Sequence, residues 1–236
     1  MLIYSSEWAA GSAVEDFGTD PTKVKVVPFG ANIESKRTEA DIEAFIQTRL
    51  ASPTCNLLFV GVDWKRKGGA KAVAVATRLH EMGVPVRLDI VGIREPLDLP
   101  GFAVNHGFIS KDTAAGCKKI DSLFAQAHFF ILPTQAECFG VVFSEASSFG
   151  LPSLATDTGG VGGAVRDGIN GMKFTSDANP QQWADYIAKL WQDKAAYEKL
   201  ALSSFHEYET RLNWDVAGKA IMGHIREILE KRKQTR

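Results

Sequence analysis

The sequence predicts an α/β protein built on a single doubly wound parallel sheet and followed by helices at the carboxyl terminus. Short apolar runs alternate with longer segments of helical period, and the runs are continuously apolar, as in strands covered on both faces. Beyond Asn179 the chain is almost wholly helical. In such sheets ligands bind at the carboxyl ends of the strands, so a site is expected in the loops that follow them.

The apolar runs define six predicted strands. They cover residues 23–30, 56–62, 86–92, 102–109, 128–134 and 151–156. Between them, helices are predicted at about 68–82, 113–125 and 140–149, and each crossover is expected to be a right-handed βαβ unit. Three further helices are predicted at 180–193, 195–212 and 213–233, with caps at Asn179 and Asn213.

The composition narrows the class of function. The 236 residues are 45% hydrophobic and 23% charged, with a net charge of −1 and an isoelectric point near 6.5. A net charge this close to zero produces no long-range electrostatic attraction for a polyanion. The expected partner is therefore a small molecule and not a nucleic acid. Three cysteines without a CxxC spacing predict neither a disulfide framework nor a zinc site.

The predicted location is the cytoplasm. A reducing compartment fits the cysteine pattern, and neither a signal peptide nor a run of 18 apolar residues is found in the sequence. The basic tail at residues 230–236 could touch acidic lipid at a membrane surface, or it could be a solvated helix end. Peripheral association with a membrane therefore stays open.

Glu137 and Glu145 stand eight positions apart around an apolar run. On one helix they would be separated by roughly 80° of arc and about 12 Å of rise, too far to act as a pair. A helix that starts near Gly140 instead leaves Glu137 on the preceding loop and Glu145 inside the helix. The N–H groups from Phe139 to Val142 would then be unpaired and could hold an anion.

Carboxylates accept hydrogen bonds from hydroxyl groups, so two of them on either side of a phosphate site suit a nucleotide sugar. The alternative is a loop acid and a helix acid that both face solvent. The loop at 61–69 favours the ligand, because Lys65, Arg66 and Lys67 oppose the helix dipole unless an anion compensates them. The glycine-rich loop at 156–163 allows close approach of the backbone to a ligand.

Taken together, these motifs resemble one known family. The segment 130–174, "FILPTQAECFGVVFSEASSFGLPSLATDTGGVGGAVRDGINGMKF", resembles the signature region of glycosyltransferase family 4, the glycosyl transferases group 1. The similarity includes the E-x7-E pair, the "FG" inside it, the "T.GG" loop and the "DG.NG" turn. "LLFVGVDWKRKGG" at 57–69 is similar to the family's glycine-basic loop, and "KVKVVPFGANIE" at 23–34 to its linker strand. The resemblance covers nearly the whole chain.

The resemblance implies a retaining glycosyltransferase of the GT-B fold that needs no metal or other cofactor. Glu137 would lie by the hydroxyls of the donor sugar, and Lys67 would neutralise the diphosphate leaving group. The basic loop opens at Gly61, and the family usually has an arginine directly after it, where this chain has Val62. Arg66 is expected to supply that charge, so the resemblance names Glu137, Lys67 and Arg66 as catalytic residues.

The same resemblance implies the rest of the donor site. The N–H groups of Phe139 and Gly140 would face the sugar, and those of Val141 and Val142 the diphosphate. Glu145 would accept hydrogen bonds from the ribose. The nucleobase would lie against Gly107, Phe108 and Ile109. The base of the nucleotide (UDP, GDP or ADP), the sugar and the acceptor (glycan, lipid or small molecule) stay open.

GT-B enzymes have two Rossmann-like domains, of which the second binds the donor. The resemblance therefore implies that residues 1–22 derive from a preceding acceptor domain, that 23–212 form the donor domain and that 213–236 form a helix returning to the acceptor domain. Such a chain is expected to transfer sugar poorly on its own. The alternative is a non-catalytic or subunit-type binding module that docks through its N-terminal strand and last helix. An epimerase is not supported, because the donor loops carry no further acid or histidine suited to it.

Overall fold

The computed structural model describes residues 1–33 and 36–234 and confirms the predicted fold class. Glu34 of the linker motif and the last two residues of the basic tail lie outside the described residues. The strands are β1 (Leu2–Tyr4), β2 (Val24–Val26), β3 (Cys55–Val60), β4 (Val86–Val91), β5 (Ala103–Asn105), β6 (Phe129–Leu132), β7 (Ser153–Thr156) and β8 (Gly171–Phe174).

Eight α-helices accompany the strands in the described part of the chain. They are α1 (Glu7–Glu15), α2 (Glu39–Ala51), α3 (Gly69–Glu81), α4 (Ala114–Gln126), α5 (Val141–Ser147), α6 (Pro180–Gln192), α7 (Lys194–Thr210) and α8 (Trp214–Gln234). Two 3₁₀ turns span Pro21–Lys23 and Gly159–Gly163. The expected cap at Asn179 is present, since its side chain accepts from the Gln182 N–H.

The central sheet has six parallel strands in the order β5-β4-β3-β6-β7-β8. The chain enters in the middle at β3, proceeds to the β5 edge, and then returns to β6 and fills the other half. The order therefore reverses between β3 and β6, where Leu57 lies opposite Phe129. Ligands of open α/β sheets bind outside the carboxyl ends of the strands at such a switch point.

The core surrounds the middle strands, since every residue of β6 and β7 is buried. The helix α3 packs against α6, while α2 contacts both α4 and α7, and α7 also contacts α5. Aromatic rings fill the space between helix and sheet: Phe124 stacks on Phe149 with ring centroids 5.1 Å apart and on Phe130 at 6.1 Å. This packing fixes the ends of β3 and β6, from which the site loops emerge.

Several predicted elements differ from the structure. The predictions omitted α2 and β8, and the strand predicted at 102–109 is only the three residues of β5. The expectation of a βαβ unit at every crossover is wrong for two connections, because no α-helix lies between β4 and β5 or between β7 and β8. Strand β2 pairs in parallel with β1 and not with the central sheet.

The N-terminal segment lies next to the glycine-rich turn of the central domain. Helix α1 packs on the 3₁₀ turn Gly159–Gly163, and the buried Ser6 hydroxyl lies 3.5 Å from the Cys138 carbonyl oxygen. The division at residues 22 and 212 stays a prediction. Among the described residues, no helix combines the length and apolar character that a membrane crossing needs.

Candidate functional site

Two loops meet at the switch point, residues 61–68 after β3 and 133–140 after β6. The Arg66 carbonyl accepts hydrogen bonds from the Gln135 N–H at 2.8 Å and the Thr134 hydroxyl at 3.2 Å. Gly68 has φ +75°, and a Cβ there would lie 1.9 Å from the Pro133 carbonyl oxygen. Only glycine permits this approach, so the sequence locks the two loops together.

The locked loops bring the three predicted catalytic residues together. The Lys67 ammonium group donates to Glu137 Oε2, and the two side chains are only 13% and 14% exposed. Arg66 Nη1 lies 3.9 Å from the same oxygen and donates to the Ala136 carbonyl at 3.1 Å. Two cations therefore face one carboxylate in a partly dry cleft, where their charge is weakly screened.

Asp63 holds Arg66 in this position. Its carboxylate accepts from the Arg66 N–H at 2.9 Å and lies 3.4 Å from the Arg66 guanidinium. Sequence analysis missed this residue, although an aspartate that accepts from a backbone N–H nearby is a common turn signal. Gly61 lies under Lys67, since a Cβ at Gly61 would be 3.0 Å from Lys67 Cγ. The glycine thus leaves room for the lysine stem.

Helix α5 starts after Gly140, which has φ +82°. The N–H groups of Phe139, Gly140, Val141 and Val142 donate to no acceptor among the described residues. The Phe139 ring is buried, so this residue offers only its backbone to the cleft. The predicted row of unpaired N–H groups is therefore present between the two glutamates.

Glu145 lies inside α5 and is 4% exposed. Its Oε1 accepts from the Lys111 ammonium group at 2.7 Å. Lys111 comes from the loop after β5 and was missed in the sequence, because nothing in its local motif marks it as a partner of a residue 34 positions away. The second carboxylate is therefore also paired with a lysine.

The predicted nucleobase loop follows β5, two strands and roughly 10 Å from β3. Gly107 has φ +67°, and its carbonyl accepts from the Gly92 N–H at 2.8 Å. Phe108 is 49% exposed, and the Arg94 guanidinium lies 4.2 Å from its ring centroid. Ile109 is half-buried. The loop thus offers an open aromatic face at a distance from Glu137.

The 3₁₀ turn Gly159–Gly163 packs against the loop that carries Glu137. The Gly160 N–H donates to the Glu137 carbonyl at 2.9 Å. A Cβ at Gly159 would lie 2.3 Å from the same oxygen, and one at Gly160 1.7 Å from the Cys138 carbonyl oxygen. The glycines therefore permit close backbone packing, which positions the backbone of Glu137.

A sequence model of the family described as "Glycosyl transferases group 1" matches residues 42–204. The chain belongs to this family. Its described fold matches the Rossmann-like C-terminal half of the GT-B fold, as in sucrose-phosphate synthase from Thermosynechococcus elongatus, with a TM-score of 0.71 over 97% of this chain and 58% of that one at 19% identity.

Other family relatives and solved structures are similar over most of the chain. A D-inositol 3-phosphate glycosyltransferase of Streptomyces bingchenggensis is 29% identical over 234 residues, which are 93% of this chain and 51% of the relative. HepE of Anabaena, solved in complex with UDP, has a TM-score of 0.73 at 19% identity over 96% of this chain and 64% of that one. The chain spans about half the length of the curated relatives it matches.

The predicted donor site consists of three groups of residues at the carboxyl ends of the strands. The first is the Lys67–Glu137 pair with Arg66, the second the start of α5 with Glu145, and the third the loop at 107–109. Among the described residues, no group of three histidine, cysteine, aspartate or glutamate side chains could hold a metal ion. The roles of the individual residues stay predictions.

Proposed function

We propose that this chain is the donor-binding half of a retaining glycosyltransferase, which transfers a sugar from a nucleotide-diphosphate sugar to an acceptor hydroxyl. The observation that carries the proposal is the Lys67–Glu137 pair beside four unpaired N–H groups at the switch point. Departure of a nucleoside diphosphate leaves negative charge on its terminal phosphate. Fixed cations and N–H dipoles stabilise such charge more in the transition state than in the ground state.

Glu137 compensates the charge of Lys67 in the structure. A bound diphosphate would share the Lys67 ammonium group, and the Glu137 carboxylate would then be available to the sugar hydroxyls. Asp63 offsets much of the charge of Arg66, so the N–H groups from Phe139 to Val142 supply part of the attraction for the phosphates. On this account the reaction uses protein cations at the diphosphate and requires no metal ion.

Glu145 is the proposed ribose ligand. Its burial at 4% exposure limits its motion, and the bond from Lys111 leaves the second carboxylate oxygen to accept from a hydroxyl. The loop at Gly107 to Ile109 would receive the base, with Phe108 as an exposed aromatic surface. That HepE of Anabaena was solved with UDP supports a nucleotide donor.

The test is calorimetric titration of UDP, GDP and ADP, with their common sugar conjugates, into the chain without added metal and again with EDTA. We expect one nucleotide to bind in both buffers and the Glu145→Ala variant to bind it at least about tenfold more weakly. Glu209→Ala, at an exposed position of α7, is the matched control. Absence of binding by all three nucleotides would contradict the proposal.

A second candidate is a non-catalytic or subunit-type module that binds nucleotide sugar and docks on a separate acceptor-binding partner. Exposed apolar side chains favour it: Ile3 of β1 is 37% exposed, Trp8 of α1 55%, and Leu229 of α8 52%. Sedimentation at high concentration discriminates the two. Self-association or capture of a partner through these residues supports docking, and a monomer that transfers sugar alone contradicts it.

We further propose a cytoplasmic location, with peripheral contact to a membrane as the variant to test. All three cysteines are free, and Cys117 and Cys138 are exposed, which suits a reducing compartment. Cell fractionation would test the proposal: recovery with periplasmic or secreted material would contradict it, and recovery in a salt-extractable membrane fraction would support the peripheral variant.

A further inference from the structure

A cavity of about 620 Å³ opens beside the loop that precedes Glu137. Its described lining includes Trp64, Lys65, Lys71, Gln135, Thr156 and Ser176. The volume lies in the range of small-molecule sites. Neither Glu137 nor Glu145 nor Lys67 is among the described residues that line it. The cavity therefore borders the same two loops, through residues such as Gly68 and Gln135, but contains none of these three proposed donor-site side chains. A ligand could bind in it whether or not the proposed function holds.

The described lining of the cavity carries positive charge and no carboxylate. Among its described lining residues two are lysines and none is acidic. Lys65 forms no ion pair with a described residue. Lys71 donates to the Ser176 carbonyl oxygen at 3.4 Å, its ammonium group lies 5.4 Å from the centroid of the Trp183 ring, and the Asp177 carboxylate is near it without forming a direct ion pair. Lys67, by contrast, is directly bonded to Glu137. The two cavity lysines thus leave their charge available to a ligand.

Residues that line the same space also carry neutral hydrogen-bond donors. Helix α3 begins at Gly69, and the N–H groups of Ala70 and Lys71 donate to no acceptor among the described residues. Thr156 lines the cavity and is only 4% exposed, and its hydroxyl has no hydrogen-bond partner in the described chain. Burial lowers the pKa of Lys71 and the nearby Asp177 carboxylate raises it only in part, so an anion bound beside the ammonium group would raise this pKa further.

We infer that this cavity binds a phosphate monoester. Two ammonium groups, two helix N–H groups and one buried hydroxyl are more donor groups than the two oxygens of a carboxylate require. They suit the three terminal oxygens of a phosphate monoester, each of which can accept more than one hydrogen bond. The rest of the cavity accommodates an attached group of the size of a sugar. Inorganic phosphate and a phosphorylated sugar share this chemistry.

The experiment is a ³¹P line-broadening titration of the full chain with inorganic phosphate and, separately, with glucose 6-phosphate. The variants are Lys65→Met, which removes an exposed charge and leaves the core untouched, and Thr156→Val, which conserves shape. Lys118→Met, an exposed lysine of α4, is the matched control. Lys67→Met separates this cavity from the proposed donor site, because phosphate could also occupy the latter.

We expect saturable binding that each cavity variant weakens about tenfold and that Lys118→Met and Lys67→Met leave within about twofold. The tighter of the two probes identifies the source of the phosphate. The inference is overturned if wild-type chain shows no saturable broadening. It is equally overturned if Lys67→Met abolishes binding while Lys65→Met and Thr156→Val bind as wild type.

Discussion

The two ends of strand β6 both carry polar side chains in partly or fully dry surroundings, yet they differ in how completely those groups are bonded. At the amino end, His128 is 1% exposed, with Nδ1 accepting from the Asn56 N–H at 3.0 Å and Nε2 donating to the Arg49 carbonyl at 2.7 Å. At the carboxyl end, the N–H groups that start α5 have no acceptor in the described chain.

Arg49 completes the amino-end cluster and is also 1% exposed. Its guanidinium donates to four backbone carbonyls near the ends of α4 and α5, those of Phe124, Ala125, Phe149 and Gly150. A polar cluster whose hydrogen-bond partners are all supplied by the protein therefore stabilises the fold. A cluster that leaves donors unpaired is suited to a ligand.

The largest expected effect is at the structural end. Arg49→Met removes the hydrogen-bond donor of four buried carbonyls, so we expect the free energy of unfolding to fall by about 4 kcal/mol. Urea denaturation monitored by tryptophan fluorescence measures it, with the half-exposed Arg87→Met as control. Nucleotide affinity of the folded fraction should stay unchanged. A loss below about 1 kcal/mol would mean that this cluster does not stabilise the fold.

The next prediction concerns the pH dependence of stability at the amino end of β6. Burial lowers the pKa of His128 to about 4, against 6.5 for the free side chain. The neutral ring is the stable form in the fold, so its contribution is complete above pH 6.5 and is lost as pH falls towards 4, by about 3 kcal/mol in all. His128→Gln should flatten this part of the stability profile. An unchanged profile in the variant would rule out His128 as the titrating group.

At the functional end, Lys67→Met should leave stability nearly unchanged and weaken binding of a nucleoside diphosphate about 100-fold, since a charge-assisted bond to phosphate is lost. Calorimetry with the exposed Lys118→Met as control measures it. The Glu137→Gln companion should lose less nucleotide affinity, because its proposed contact is with the sugar. Equal affinity of Lys67→Met and wild type would break the assignment of the diphosphate to this loop.

The smallest effect concerns Lys111. Lys111→Met removes the only bond that the described residues offer to the Glu145 carboxylate oxygens, so we expect about tenfold weaker nucleotide binding. The loss should disappear with a 2′,3′-dideoxy nucleotide, which has no hydroxyl for Glu145. Lys111→Arg should recover part of the affinity. If the variant weakens both nucleotides equally, Lys111 acts on the fold and not on the ribose.

The sequence predicted the fold class and the placement of both glutamates, because these rest on local periodicity. Glu137 lies on the loop and Glu145 inside α5, as the helix-period argument required. The omitted α2 also had a local signal, since Thr38 and Asp41 form a capping box ahead of Ile42 and Ile46.

Other features depend on contacts that no local pattern encodes. Lys111 meets Glu145 across 34 positions, and Arg49 reaches carbonyls more than 70 positions away. Strand β5 is shorter than predicted because the chain turns at Gly107, which has φ +67°, directly after the His106 N–H has donated to the Ile90 carbonyl at 2.8 Å. Contacts between elements distant in sequence decided these points, and they follow from strand order and helix packing and not from composition.

The carboxyl end of β6, with its unpaired N–H groups, is the proposed binding site for the diphosphate of a nucleotide sugar. The most direct measurement is an amide NMR titration with the nucleotide that calorimetry selects, compared with its nucleoside monophosphate. We predict the largest diphosphate-specific shifts at Phe139 to Val142 and at Lys67, with none at His128. Shifts confined to other surfaces, or equal shifts for the two ligands at Val141 and Val142, would contradict the account.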